Sequence, residues 1–290
     1  MAGSHCSEQH QVDYEQMKER IQKVLANVGV DSRRAVEGMV RQGRISVNGK
    51  TMTELPILVD PERDKIEVDG ETVRFKTRAG AGERVYILMH KPKGVFSTNV
   101  AQGAQVRAID LLGPEFPVRV YPVGRLDADS KGLLLLTNDG DLTNRLTHPR
   151  YGVSKTYRAT VDGFFSPEAA QELEKGIWLG DRAGKGFKTS RSRVKIAHRG
   201  REKSTLEITI REGRNRQVRR MLAGLGHKVR DLMRIRMGPL TLKGLGPGEF
   251  RPLTRKELAE LQKAGQGAET ETASPARAPK KPRVRGFKKS

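Results

Sequence analysis

YPVGRLDADSKGLLLLTNDGDL, Tyr121 to Leu142, is the stretch on which the reading of this chain turns. Leu133 to Leu136 is an apolar run of strand length, bounded by Gly132 before it and Asn138-Asp139-Gly140 after it. Val118 and Val120 read as a second buried strand just upstream. Arg125 to Lys131 is then a loop between strands, and it carries two carboxylates, Asp127 and Asp129, beside Arg125. A loop held by a rigid sheet is where reactive side chains collect.

Three readings meet at this loop. Asp127, Asp129 and Gly132 stand at positions 1, 3 and 6 of a calcium loop, but Lys131 occupies position 5, Leu135 position 9, and Asn138 stands where a bidentate Glu is required. Calcium is therefore set aside, and no metal site is expected. A solvated turn in which both Asp residues cap backbone amides explains a lone D-x-D pair well. The third reading is catalytic: a carboxylate aimed at a sugar carbon performs glycosyl chemistry as nucleophile or stabiliser. Arg125 and the basic segments elsewhere in the chain favour it.

Working outward, the 290 residues suggest two domains, and a hydrophobic share of 36% is enough to build their cores. The formal net charge of +21 points to a polyanionic partner, nucleic acid ahead of a membrane surface. A single Cys, Cys6, excludes an intrachain disulfide and a cysteine-built metal site. No run is apolar enough to span a membrane, and the polar start of the chain lacks a signal-peptide core, so a cytoplasmic protein is expected.

Residues 1–16 are expected to be disordered. From there, Ile21, Val24, Leu25 and Val28 recur at helical spacing and Gly29 can end the helix. Asp31 or Ser32 caps a second helix bearing Val36, Met39 and Val40. Asn48-Gly49 and Asp69-Gly70 then mark two hairpins. The small module, residues 17–76, crowds Arg20, Lys23, Arg33, Arg34 and Arg44 against few acidic residues, which suits phosphates rather than base edges. A polar, Gly-rich linker at 77–84 separates it from the remainder.

The second domain, 85–263, opens with the strand VYILMHKPKG, and SKTYRATVDG alternates as another, with Tyr157 beside Lys155 and Ala159 on one face. A short helix is expected from Asp141 to His148, another over 167–175, and strands near 191–196 and 204–210. In REGRNRQVRRMLAGLG, Val218, Met221, Leu222 and Leu225 form a helical stripe with Arg219 at its margin, while Arg216 and Arg220 point outward. Arg230, Arg234 and Arg236 then share one side of a following strand. Residues 264–290 form a tail expected to be disordered, with seven basic residues from Arg277 to Lys289 and no acidic one among them.

Taken together, Gly124-Arg125-Leu126-Asp127, Lys155-Thr156-Tyr157, Glu212 to Arg220 and the upstream HKPKG resemble the RsuA/RluB family of ribosomal RNA pseudouridine synthases over roughly residues 18–262. The front module resembles the S4 RNA-binding domain through Asp31-Ser32-Arg33-Arg34 and Gly43-Arg44-Ile45 to Asn48-Gly49. After HKPKGVFST this chain runs NVAQGAQVRAID, without the Asp-Pro-Glu-Gly-like turn often found there. The resemblance implies an α+β chain: a small S4-like RNA-binding domain, then a larger pseudouridine synthase domain with a mostly antiparallel mixed sheet, helices and an active-site cleft. It implies Asp127 as the catalytic aspartate, Tyr157 as the active-site tyrosine and Arg219 as the arginine pairing with that aspartate. The RNA-contacting set is expected to be Arg20, Lys23, Ser32, Arg33, Arg34, Arg44, Arg125, Arg216 and Arg220.

The implied reaction breaks the N1–C1′ bond of a uridine, turns the uracil and joins C5 to C1′, so no cofactor is needed. Whether Asp127 attacks C1′, adds to the base or abstracts a sugar proton stays open at this level. The expected partner is ribosomal RNA, large-subunit 23S-like RNA ahead of 16S-like, acted on by a monomer. Two other classes compete. A non-catalytic S4-type RNA-binding or ribosome-assembly protein has no need of Asp127, Tyr157 and Arg219 together, and a nucleoside or glycoside hydrolase needs both Asp127 and Asp129.

Overall fold

Ser32 and the two Asn/Asp-Gly pairs shape the front module as local chemistry requires. The computed structural model describes residues 18–75, 83–180 and 186–266. The N-terminal 1–16 segment, most of the linker and nearly all of the basic tail lie outside them. Helices α1 (Ile21–Asn27) and α2 (Arg33–Arg41) pack on each other, and Ser32 caps α2 by accepting from the Ala35 amide. At Asn48-Gly49 and Asp69-Gly70 all four residues have positive φ, the geometry of tight two-residue hairpins. They join β2 (Ile45–Val47) to β3 (Lys50–Met52) and β5 (Ile66–Val68) to β6 (Glu71–Thr72) in a four-stranded sheet. Strands β1 (Glu19–Arg20) and β4 (Leu58–Val59) form a separate pair. Ile21, Leu25, Val36, Val40, Ile45 and Ile66, all fully buried, form the module's core.

The second domain is built on a nine-stranded sheet. Its main path, in spatial order, is β13 (Arg193–Arg199), β14 (Lys203–Ile210), β10 (Lys155–Asp162), β15 (Val229–Met237), β9 (Lys131–Thr137), β7 (Tyr86–Lys91) and β17 (Phe250–Pro252). Short β8 (Tyr121–Pro122) and β16 (Leu240–Thr241) add to β9 and β15. Pairing is antiparallel throughout except between β15 and β9, so the sheet is mixed and mostly antiparallel as expected. The predicted strand at Val118–Val120 reduces to β8, because Val120 packs from a loop onto the sheet.

The continuous LLLL run of β9 is explained by burial on both faces. Leu133 and Leu135 pack with Leu142 and Leu146 of α3 (Gly140–Thr147) and with Leu261 of α6 (Arg255–Ala264). Leu134 and Leu136 face the other way, onto Val95, Ala108 and Val120. Farther along the sheet, Tyr157, Ala159 and Val161 of β10 lie with Leu206 and Ile208 of β14. They are covered by Leu173 of α4 (Pro167–Lys175) and by Val218, Met221 and Leu222 of α5 (Gln217–Gly224).

Two details of β15 depart from simple alternation. Its register against β10 shifts between Thr156 and Tyr157, where Arg236 and Arg234 are successive partners, so Ile235 is bulged out. Arg234 thereby turns inward and is 1% exposed, where the sequence pattern put it on an exposed basic side with Arg230 and Arg236.

Candidate active site

The Asp127 loop is fixed from both ends and from below. Gly124 turns it with φ +72°. Leu126 anchors it in the same core as Tyr157 and α5, and the Leu126 amide donates to Ser97 Oγ at 3.2 Å. The Ala128 carbonyl accepts from the Gly94 amide at 2.7 Å, and Ser130 N–H donates to the Asp127 carbonyl at 3.0 Å. Gly132 then begins the close parallel approach of β9 to β15: an added Cβ would lie 2.7 Å from Arg234 N and nearer still to the Arg234 carbonyl oxygen.

The HKPKG segment supports this loop from beneath. Lys91 is fully buried, and its Nζ donates to the carbonyls of Val95 at 2.7 Å and Pro92 at 3.0 Å, which folds the turn whose Gly94 amide holds Ala128. Burial lowers the Lys91 pKa to about 8, opposed by the nearby charges of Asp129 and Asp127. Lys155 is likewise pushed down to about 8, first by burial and then by Arg234. Arg234 donates through Nε to the Leu133 carbonyl at 2.7 Å. Lys91 thus underlies the acidic loop, Arg234 and Lys155 lie buried beside one another in the sheet, and the sequence patterns flagged none of the three as buried.

Above the loop, the arginines of α5 arrive from some ninety residues away. Arg216, at the N-cap of α5 in the left-handed region (φ +48°), places its guanidinium 3.3 Å from Asp127 Oδ2. It also grips Asp129 with two hydrogen bonds, 3.2 and 2.9 Å long. This bidentate contact holds the Asp129 carboxyl below its usual range, with Arg219 adding to the effect against partial burial. Arg219, nearly buried, donates to the Asp129 carbonyl at 3.1 Å and Ser130 Oγ at 3.3 Å, and its ion pair is with Asp129 at 3.4 Å. The expected Arg219–Asp127 pair is therefore replaced: the helix start brings Arg216 to Asp127, while Arg219, one turn on, clamps the loop backbone. Arg219 Nε is buried and unbonded among the described residues. Tyr157 enters from β10, opposite Ile208 and Arg234 in the sheet, and shares its core with Leu126.

The expected RNA-contacting residues divide. Arg33, Arg34 and Arg125 are exposed, as is Arg20. Arg44 is held by Asp69 in a two-bond ion pair, and Lys23 bridges Glu19 and Asp141, so both cations are partly neutralised locally. Ser32 spends its hydroxyl on the α2 cap. Arg220 donates to the Gly180 carbonyl. Beside α1, a hollow of about 390 Å³ is lined by Arg20, Lys23 and Arg33 together with Glu19 and Glu37, so its charge is mixed rather than wholly basic.

This combination of an S4-like module, a mixed sheet and an arginine-held Asp loop is that of an RNA-modifying enzyme, and comparison with known proteins gives the class. The family model for RNA pseudouridylate synthase matches residues 85–224, and that for the S4 domain matches residues 19–62. The chain belongs to the RNA pseudouridine synthase family and carries an S4 domain in front. It is 42% identical to "Ribosomal large subunit pseudouridine synthase B" of Bacillus subtilis, over 84% of this chain and 96% of that protein. It is 41% identical to an uncharacterized RNA pseudouridine synthase of Aquifex aeolicus, over 86% of this chain and 95% of that one. A crystal structure of a pseudouridylate synthase aligns with a TM-score of 0.60 at 29% identity, covering 83% of this chain and 99% of the other.

Proposed function

We propose that the protein isomerises a specific uridine of large-subunit ribosomal RNA to pseudouridine, with Asp127 as the reacting carboxylate. The observation that carries this reading is the placement of Asp127 at the tip of a loop immobilised by Ser97, Gly94 and Arg219, with Arg216 beside it. Preorganisation of this kind favours a carboxylate that must meet C1′ or the uracil ring without rearranging. Tyr157 supplies an aromatic face for the uracil, and Leu126 keeps the adjoining wall apolar, which limits water and hence hydrolysis of the opened glycosidic bond. The target base must leave its stack, at a cost of a few kcal/mol, offset by phosphate contacts to Arg33, Arg34, Arg125 and neighbouring cations. The uracil and the ribose both stay in the site: N1–C1′ breaks, C5–C1′ forms, C5 gives up its proton and N1 takes one up, so atoms balance and the reaction needs no cofactor. The large-subunit target rests on the name of the Bacillus subtilis relative.

The test is to incubate the protein separately with large- and small-subunit ribosomal RNA transcripts, digest the RNA, and chromatograph the products. One pseudouridine in the large-subunit transcript is expected. Free uracil would make the protein a hydrolase, unmodified RNA bound tightly would make it a binding protein, and product only in the small-subunit transcript would move the target.

A further inference from the structure

The hairpin of β11 (Trp178–Gly180) and β12 (Gly186–Lys188) places a large aromatic ring where the core does not use it. Leu179 and Phe187 face inward, onto the core that holds Tyr157 and α5. Trp178, on the opposite face, is 69% exposed. It is not a loose side chain. A Cβ on Gly186 would lie 2.8 Å from Trp178 Cε2, so the indole lies against bare backbone on one side and open to solvent on the other. Lys188 is its exposed cross-strand partner.

The other face of the hairpin, that of Phe187, is tied to α5 and the residues that lead into it. Arg220 of α5 donates to the Gly180 carbonyl and stands 5.8 Å from the Phe187 ring, while Arg214 lies 3.8 Å over that ring. Arg216, one helical turn before Arg220, is the residue that pairs with Asp127. A rise of about 6 Å along the helix therefore separates the arginine at the carboxylate from the arginine at the hairpin.

We propose that Trp178 is a stacking platform for an unpaired base of the RNA substrate outside the Asp127 pocket, with Lys188 beside it for the adjoining phosphate. An exposed indole with a lysine as its cross-strand neighbour, on a chain of net charge +21, suits a nucleobase, whose π-face any aromatic ring accepts and whose backbone is anionic. An apolar protein partner would instead call for a neutral surround. The inference rests on the RNA-modifying reading of the Asp127 site and names a contact outside that site.

Trp178 is the single tryptophan of the chain, which gives a direct test without mutation. The full-length protein is titrated with a fluorescein-labelled large-subunit RNA fragment that it modifies, following anisotropy and tryptophan emission together, with N-acetyltryptophanamide as the absorption control. Quenching that saturates with the anisotropy is expected. Trp178→Ala should weaken binding about tenfold with an unchanged salt slope, since stacking releases no counterions, and Trp178→Phe should recover most of it. Lys188→Ala should instead flatten the slope. Full binding and pseudouridine formation with unaltered emission would overturn the platform, point to a protein partner for Trp178, and leave the enzyme reading intact. Absence of both RNA binding and product would overturn the two together.

Discussion

Gly132→Ala should strongly destabilise the second domain although it adds one methyl group. Gly132 sits at φ +111°, and its missing Cβ is what lets β9 run beside β15 in the sheet's one parallel pairing. An alanine there holds a backbone conformation costing about 1–3 kcal/mol. Its Cβ, 2.7 Å from Arg234 N and closer still to the Arg234 carbonyl oxygen, meets main chain that cannot rotate away, and it also crowds the Met233 side chain at 2.9 Å. Relief requires β9 and β15 to separate locally, which also stretches the buried 2.7 Å bond from Arg234 Nε to the Leu133 carbonyl. Loss of a charged, buried hydrogen bond adds roughly 1.5–3 kcal/mol. The sum is about 4 kcal/mol, a large share of the roughly 5–15 kcal/mol that holds a domain together. With a urea m-value of about 2 kcal/mol per molar, the unfolding midpoint should fall by about 2 M. Urea titration followed by circular dichroism measures it, and a midpoint within about 0.5 M of the unaltered protein would refute the account of this crossing.

Further outcomes follow from the charges. Lys155→Met should raise stability at pH 7, because the folded pKa of about 8 lies below the ordinary 10.5. The unfolded chain then holds the extra proton between those values, so the penalty is full below pH 8 and fades as pH rises toward 10.5. The gap bounds the gain at roughly 3 kcal/mol, read as a melting temperature higher by several degrees at pH 7 and by little at pH 10.5. Asp129→Asn should lower kcat/KM by about tenfold while sparing some activity, since Arg216 loses its bidentate anchor yet keeps its contact with Asp127; steady-state kinetics on the RNA fragment would show it, and unchanged kinetics would mean that Asp129 positions nothing. Arg33→Ala with Arg34→Ala should weaken RNA binding and make the slope of log K against log salt shallower by about 1.5, as for two lost phosphate contacts. A parallel shift with the original slope would remove these residues from the phosphate contacts.

What could be read in advance was whatever is written locally. Ser32, the two hairpin pairs, the amphipathic Val218–Leu225 stripe and the Gly-bounded LLLL run each declare their element within a few residues. The C-terminal helix α6 was also readable in principle, because Thr254 and Glu257 form a capping box at its start. The Trp178 hairpin carries no Asn-Gly or Asp-Gly turn signal in its flanks. Long-range geometry was not legible. Arg216 rather than Arg219 reaches Asp127 because a left-handed residue at the helix start turns the side chain back over the loop. The bulge at Ile235 reverses the pleat, so an arginine that alternation places outside lies buried beside Lys155. Asp129, read as the lesser carboxylate, proves to be where both arginines converge.

The central claim, that the Asp127 carboxylate carries the isomerisation, is tested most directly by a single-turnover assay of Asp127→Asn on the modified RNA fragment. The amide keeps the size and the loop contacts but is neutral and a weak nucleophile. The account predicts RNA affinity within about twofold of the unaltered protein, an unchanged unfolding midpoint, and no pseudouridine. Pseudouridine formed by this variant at a measurable rate would contradict it.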